Sequence, residues 1–262
     1  ILLQCASGAA RRNGRLWIEF DPMEPQWSTL PYRFESPIRR WDGRGRPGRM
    51  EEKLELAQLT WPEAAQMLRE VDIALLPVGA TEQHGPHLPM DVDVFDARWL
   101  CLQVAASTSP PRPLVLPAIP YGVSYHHDDF AGTVSVSPDT LSRLVYEVGM
   151  SMSRQGITKL VIVNGHGGNS PALQYAAQMI NRDARIFTCV ETGETSDDEV
   201  DAMCETAGDV HAGEIETSTT LALRPDLVKM ELAVPSIPRF SSEYLEFGSA
   251  KGVAWFARTK RI

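Results

Sequence analysis

From Trp61 onward the chain alternates between helical and strand-like spacing of its apolar residues. Trp61-Pro62 followed by residues 63–70 predicts a short helix with Pro in its first turn. Ile73-Ala74-Leu75-Leu76-Pro77-Val78 is a short continuous apolar run, as in a strand buried on both faces. Residues 93–106 read as a helix, and Leu114-Val115-Leu116 as a short strand closed by Pro117. Residues 138–154 form a long amphipathic pattern, with Ser137 as N-cap, Pro138 at the first position and Gly156 beyond the end. Leu160-Val161-Ile162-Val163 is the clearest buried strand. A helix over 170–181, a strand over 185–190 and a helix over 215–223, stopped by Pro225, complete the series. This alternation predicts an α/β fold: a mostly parallel central sheet covered by helices on both faces.

The polar clusters sit where such a fold binds ligands, beyond the carboxyl ends of strands. Residues 81–87 follow the first strand, and Asn164-Gly165-His166-Gly167-Gly168-Asn169 follows the strand ending at Val163. Residues two apart on an extended backbone point the same way, so Glu82 and His84 can present a carboxylate and an imidazole to one site. Asp91 and Asp93 stand at the next helix start, where the helix dipole favours a carboxylate that can bridge two cations; Asp93 is the better placed if the helix begins just after it, and spacing alone leaves both open. The glycine-flanked His166 lacks both the Lys-Ser/Thr ending of a P-loop and the spacing of a dinucleotide fingerprint, which leaves a ligand or catalytic role. His211-Ala212-Gly213-Glu214-Ile215-Glu216-Thr217-Ser218 adds one imidazole and two carboxylates. Carboxylate and imidazole donors without thiolate suit Zn²⁺ and/or Mn²⁺, with Fe²⁺ as a further option. Formal charge favours two divalent cations: Glu82, Asp93, Glu214 and a bridging hydroxide carry −4 against +4.

Composition narrows the function classes. Across 262 residues the formal charge is −9 and 43% of positions are hydrophobic. That suffices for a large core and argues against a general nucleic-acid binder. No apolar run approaches the roughly 20 residues that cross a bilayer. Cys5, Cys101, Cys189 and Cys204 are scattered, as in a reduced, cytoplasmic protein. The acidic stretch 195–205 reads as a solvated loop or exposed helix. Residues 1–49 carry nine Arg, no Lys and five acids, a formal +4, whereas the remainder has 16 basic and 29 acidic residues, a formal −13. This Pro- and Arg-rich segment has no useful periodicity, and Met50-Glu51-Glu52-Lys53 has the look of a start. The expectation is an irregular extension over 1–49, outside a domain occupying 50–262.

From about Trp61 to Lys229 the chain resembles the creatininase (creatinine amidohydrolase) family. The signatures are Pro77-Val78-Gly79-Ala80-Thr81-Glu82-Gln83-His84-Gly85-Pro86-His87-Leu88-Pro89, then Asp93, Phe130-Ala131-Gly132-Thr133, residues 164–169, and residues 211–218. The resemblance implies a three-layer α/β/α sandwich with two divalent metals. The implied activity is hydrolysis of a C–N amide bond in a cyclic amide, formamide or peptide-like small molecule, by a hydroxide bound between the metals. It also implies a homo-oligomer, often a hexamer. Carried over, Glu82, His84, Asp93 and His166 are metal ligands and His211 shuttles protons. Creatininase proper has a Glu where Gly168 stands, so Glu214 is expected to supply the fifth metal ligand and Glu216 to assist catalysis from behind it. Ala207 replaces a substrate-covering Trp; together these departures argue against creatinine as substrate. His127, rather than His126, is expected to line the substrate pocket. Relatives usually continue past the equivalent of Ile262, so the domain is expected to be cut short at its C-terminus. A non-catalytic metal-binding or small-ligand-binding protein on the same scaffold is the alternative.

Overall fold

A computed structural model of the chain describes residues 8–12, 15–19, 53–191, 204–205 and 211–235. Ala207, the acidic stretch before residue 204 and the chain beyond 235 lie outside the described residues, as does most of segment 1–49. Two strands inside that segment, β1 (Gly8–Arg12) and β2 (Arg15–Glu19), pair antiparallel with Arg12 opposite Arg15. The sequence reading expected no regular structure there. The sequence between the two strands, Asn13-Gly14, is the dipeptide that favours two-residue hairpin connections.

The remaining elements follow the predicted order: α1 (Trp61–Glu70), β3 (Ile73–Val78), α2 (Val92–Ser107), β4 (Leu114–Val115), α3 (Pro138–Arg154), β5 (Lys159–Asn164), α4 (Ser170–Asp183), β6 (Phe187–Glu191) and α5 (Glu214–Leu223). Local chemistry fixes the helix starts. Thr60 and Glu63 form a capping box on α1, with Thr60 N donating to Glu63 Oε2 at 2.7 Å. Thr140 N donates to Ser137 Oγ at 3.1 Å at the start of α3.

Strands β4-β3-β5-β6 form one parallel sheet in that order. Alternation along each strand divides the core. Ala74, Leu76, Val78, Leu160 and Ile162 pack with Leu141, Val145 and Met152 of α3 and with Leu173, Ala176 and Ile180 of α4. On the opposite face Leu75, Val115 and Val163 meet Ala97, Cys101 and Ala105 of α2. The result is a three-layer α/β/α sandwich. Leu160 and Ile162 are fully buried, so truncating either to Ala costs about 2–5 kcal/mol.

The order of the strands positions the site. From β3 the chain crosses by α2 to β4 on one side, then returns by α3 to β5 on the other. The loops leaving β3 and β5 therefore diverge, opening a crevice at the carboxyl ends of these two strands.

Candidate metal centre

Three segments close on that crevice, and glycine lets them do so. The N-terminus of α2 comes so near that a Cβ on Gly79 would stand 2.4 Å from Val94 N, and one on Gly165 2.2 Å from Asp93 O. Only residues without a side chain fit at both strand exits, and Asp93 is thereby pressed between them. Buried Asn169 ties the crevice together, donating from Nδ2 to Gly79 O at 3.1 Å and accepting Val123 N at Oδ1 at 2.9 Å. Asp91, the other sequence candidate, turns out to the Arg224 guanidinium at 2.9 Å.

Asp93 addresses two imidazoles with its two oxygens. Oδ1 lies 2.9 Å from His84 Nε2 and Oδ2 lies 3.1 Å from His166 Nδ1. His84 Nδ1 donates to Glu82 O at 3.0 Å, which fixes the ring and points Nε2 inward. Glu82, fully buried, divides its oxygens in the same way. Oε1 accepts from His127 Nδ1 at 2.6 Å, while Oε2 faces His166 Nε2 at 3.3 Å and His126 Nε2 at 3.6 Å. His211 Nδ1 stands 3.6 Å from Glu82 Oε1, and Glu216 Oε1 stands 3.7 Å from His84 Nε2.

The electrostatics are those of a cation site. Burial opposes a charge on His84, but Asp93 and then Glu216 outweigh it and raise its pKa to about 10. His166 is likewise opposed by burial and raised by Asp93 and Glu82, to about 9. Glu82 and Asp93 are held below the usual carboxylate range: burial resists ionisation, and the facing histidines overcome it. His211 goes the other way. Burial first, then the charge of His84, push its pKa down to about 3. Its neutral ring donates from Nε2 to Gln83 O at 2.6 Å, leaving the Nδ1 lone pair toward the cluster.

Two observations test whether a metal fits. Glu82 Oε2 and Asp93 Oδ2 are buried and make no hydrogen bond; each faces only imidazole nitrogen, His166 at 3.3 and 3.1 Å, a pairing that a metal cation could replace. Moreover, three sets of donor atoms each gather within 4.8 Å: Glu82 with His126 and His166, Glu82 with His127 and His211, and His84 with His211 and Glu216. The donor chemistry fits a divalent cation with N/O preference.

The structure brings together Glu82, His84, Asp93, His166, His211, Glu216 and His127 from the sequence reading. It does not bring in Glu214, whose Oε2 accepts the backbone N–H of Glu205 at 2.7 Å. The carboxylate turned inward is Glu216. Residues two apart on a helix face different ways, and Glu216 shares its face with Thr220, which is fully buried. Ala212, at φ 50°, supplies the turn between His211 and the helix, and its N–H donates to Glu216 Oε2. Sequence reasoning also undervalued His126. Gly168 is built in tightly: a Cβ there would sit 2.2 Å from Val123 O and 2.6 Å from His166 Nε2, so the carboxylate expected from creatininase has no room.

The profile of the Creatininase (creatinine amidohydrolase) family matches residues 57–260. The chain belongs to the creatininase family. Creatinine amidohydrolase of Pseudomonas putida is 32% identical over 208 residues, covering 72% of this chain and 79% of that protein. The mycofactocin precursor peptide peptidase of Mycobacterium ulcerans is 37% identical over 178 residues, covering 64% of this chain and 61% of that protein. This chain thus spans about three fifths of the length of such peptidases. Among solved creatininases, a manganese form superposes with a TM-score of 0.66 at 31% identity, covering 75% of this chain and 82% of that one. A Zn–Zn form of a creatininase mutant gives 0.65 at 28%, covering 80% and 91%. Among the described residues, no helix of this creatininase-family chain is long and apolar enough to cross a membrane.

Proposed function

We propose that this chain hydrolyses a C–N amide bond with two divalent cations, Zn²⁺ and/or Mn²⁺. The observation that carries the reading is the division of Asp93: each of its oxygens faces a different imidazole, and one is buried without a hydrogen bond. Glu82, Asp93 and His166 would hold one cation; His84, Asp93 and Glu216 would hold the other, with Glu216 in the role first expected of Glu214. Such a cation pair lowers the pKa of water and polarises an amide carbonyl.

The chain's own residues handle protons and position. Hydrolysis forms a C–O bond from water and breaks C–N, and the leaving nitrogen needs a proton. His211 carries it at Nδ1, because Nε2–H is tied to Gln83 O. His127 holds Glu82 in place through Oε1.

The substrate is a small cyclic amide, formamide or short peptide-like molecule. Creatinine is disfavoured, since the Glu of creatininase is replaced by Gly168 in a space that excludes a side chain. Relatives named as a peptide peptidase, a deformylase and a 3-dehydro-scyllo-inosose hydrolase support a broad range of polar substrates. The hydrolase domain occupies residues 50–262, with 1–49 outside it; the start of the family match at residue 57 supports this boundary. The reading extends to a cytoplasmic homo-oligomer, on the likeness to creatininase. Activity on a panel of lactams, formamides and short peptides, with metal removed and restored, tests the proposal. Stoichiometric metal without any hydrolysis would favour a binding protein instead.

A further inference from the structure

His126 has no place in the scheme above, yet it stands at its centre. We propose that His126 is a direct ligand of the cation held by Glu82 and His166, whereas its neighbour His127 only orients Glu82. The proposal rests on the metal-dependent reading and specifies one of its two positions.

The two adjacent histidines meet the same carboxylate differently. Both come from the short 3₁₀ turn Tyr125–His127. His127 Nδ1 is 2.6 Å from Glu82 Oε1, a hydrogen bond. His126 Nε2 is 3.6 Å from Glu82 Oε2, too long for one. That second oxygen is buried and makes no hydrogen bond, although two imidazole nitrogens face it, His166 Nε2 at 3.3 Å and His126 Nε2 at 3.6 Å. Donors about 2.0–2.2 Å from a tetrahedral ion are about 3.3–3.6 Å from one another. The separations at Glu82 Oε2 therefore match edges of a coordination polyhedron better than hydrogen bonds. The rings of His126 and His166 lie nearly parallel, 8° apart with centroids at 5.6 Å, so neither blocks the other's approach to the shared oxygen. In the metal-free ring His166 Nε2 donates to Val123 O at 3.0 Å, and a cation would displace that proton.

Adding His126 alters donor number but not charge. Glu82, His126 and His166 already gather within 4.8 Å; Asp93, which here meets the opposite ring nitrogen of His166, would be the fourth protein donor once it turns to a shared cation. The His84 position would have three (His84, Asp93, Glu216). A position with three protein ligands keeps room for water or substrate, and one with four is closed. The two cations should then differ in affinity, with the tighter one at Glu82.

Cobalt(II) loading of the full chain tests this without any substrate. In the wild type, proton NMR should give hyperfine-shifted, exchangeable ring N–H signals from His84, His126 and His166, and titration should resolve a tight and a weaker phase. His126→Gln should remove one signal and weaken the tight phase by more than about 100-fold, beyond the about 10–100-fold typical of residues acting only through a ligand. His127→Gln should keep all the signals and stay within that smaller range. Only two ligand-histidine signals in the wild type, a measurement that needs no variant to fold, would overturn the proposal. So would an unchanged spectrum and affinity in His126→Gln. Failure of the wild type to take up cobalt at all would overturn the metal-dependent reading as well, which distinguishes the two failures.

Discussion

Asp93 Oδ1 lies 2.9 Å from His84 Nε2, in a contact where the carboxylate is 2% exposed and the imidazole 0%. Without a metal this contact is an ion pair with a proton where a cation belongs. Asp93→Asn keeps the shape and removes the charge that both proposed cations share. Metal content measured after dialysis should fall at both positions rather than one. Loss of a single ion would mean that Asp93 does not bridge.

The same protons make metal uptake pH-dependent. His84 and His166 have pKa values of about 10 and about 9 in the metal-free fold. Both rings are charged at pH 7 and must lose a proton to bind metal. Calorimetric titration in buffers of different ionisation enthalpy should register proton release at pH 7, fading as pH rises through 9 and 10. Metal-free stability has a matching sign. Raised pKa values stabilise the fold fully below the unfolded histidine value near 6.5, and that contribution is lost as pH rises through about 9–10. The metal-free melting temperature should fall over this window, more steeply than that of metal-loaded protein.

Glu214 and Glu216 can be separated directly. Glu216→Gln should lower the affinity of one metal by more than about 10-fold. Glu214→Gln should leave both affinities within about twofold, since its carboxylate accepts the backbone N–H of Glu205. Equal effects in metal titrations of the two variants would contradict the assignment.

His211→Ala should retain both metals and lose about 10²–10⁴-fold in turnover, the usual contribution of a positioned acid–base group. The comparison needs metal content and rate on the same preparation. Full metal with an undiminished rate would remove His211 from the mechanism.

Gly165→Ala places a methyl 2.2 Å from Asp93 O, against backbone that cannot swing aside. The expected cost is about 1–3 kcal/mol in metal-free stability, with weakened metal binding because Asp93 moves. Chemical denaturation and metal titration of the same variant check both effects.

Much of the fold was legible because its strands and helices carry different apolar periods. The predicted run 73–78 is β3 itself, and Ser137-Pro138 marks the start of α3. The meeting of the loops that carry His84 and His166 was legible in part, because both follow predicted buried strands and ligands collect beyond the carboxyl ends of such strands; that the two strands are neighbours is visible only in the sheet order. The choice between Glu214 and Glu216 was not legible. The inner face of α5 is lined by Thr219 and Thr220 rather than by apolar residues, so no hydrophobic stripe identified it. The left-handed turn at Ala212 gave no warning either, as alanine rarely adopts it. His126 and His127 are identical in type and adjacent, and which oxygen of Glu82 each one meets is visible only in three dimensions. The Pro- and Arg-rich composition of segment 1–49 hides the pairing of β1 with β2, for which Asn13-Gly14 is the one local signal.

Metal-dependent amide hydrolysis is decided by removing and restoring the metal on one preparation. The chain is stripped with chelator, reloaded with Zn²⁺ or Mn²⁺ while bound metal is counted, and assayed in both states on lactams, formamides and short peptides. Two ions per chain are expected, with cleavage of at least one amide class by the reloaded protein only. Amide cleavage that survives complete metal removal, or two bound ions with every amide left intact, would contradict metal-dependent hydrolysis.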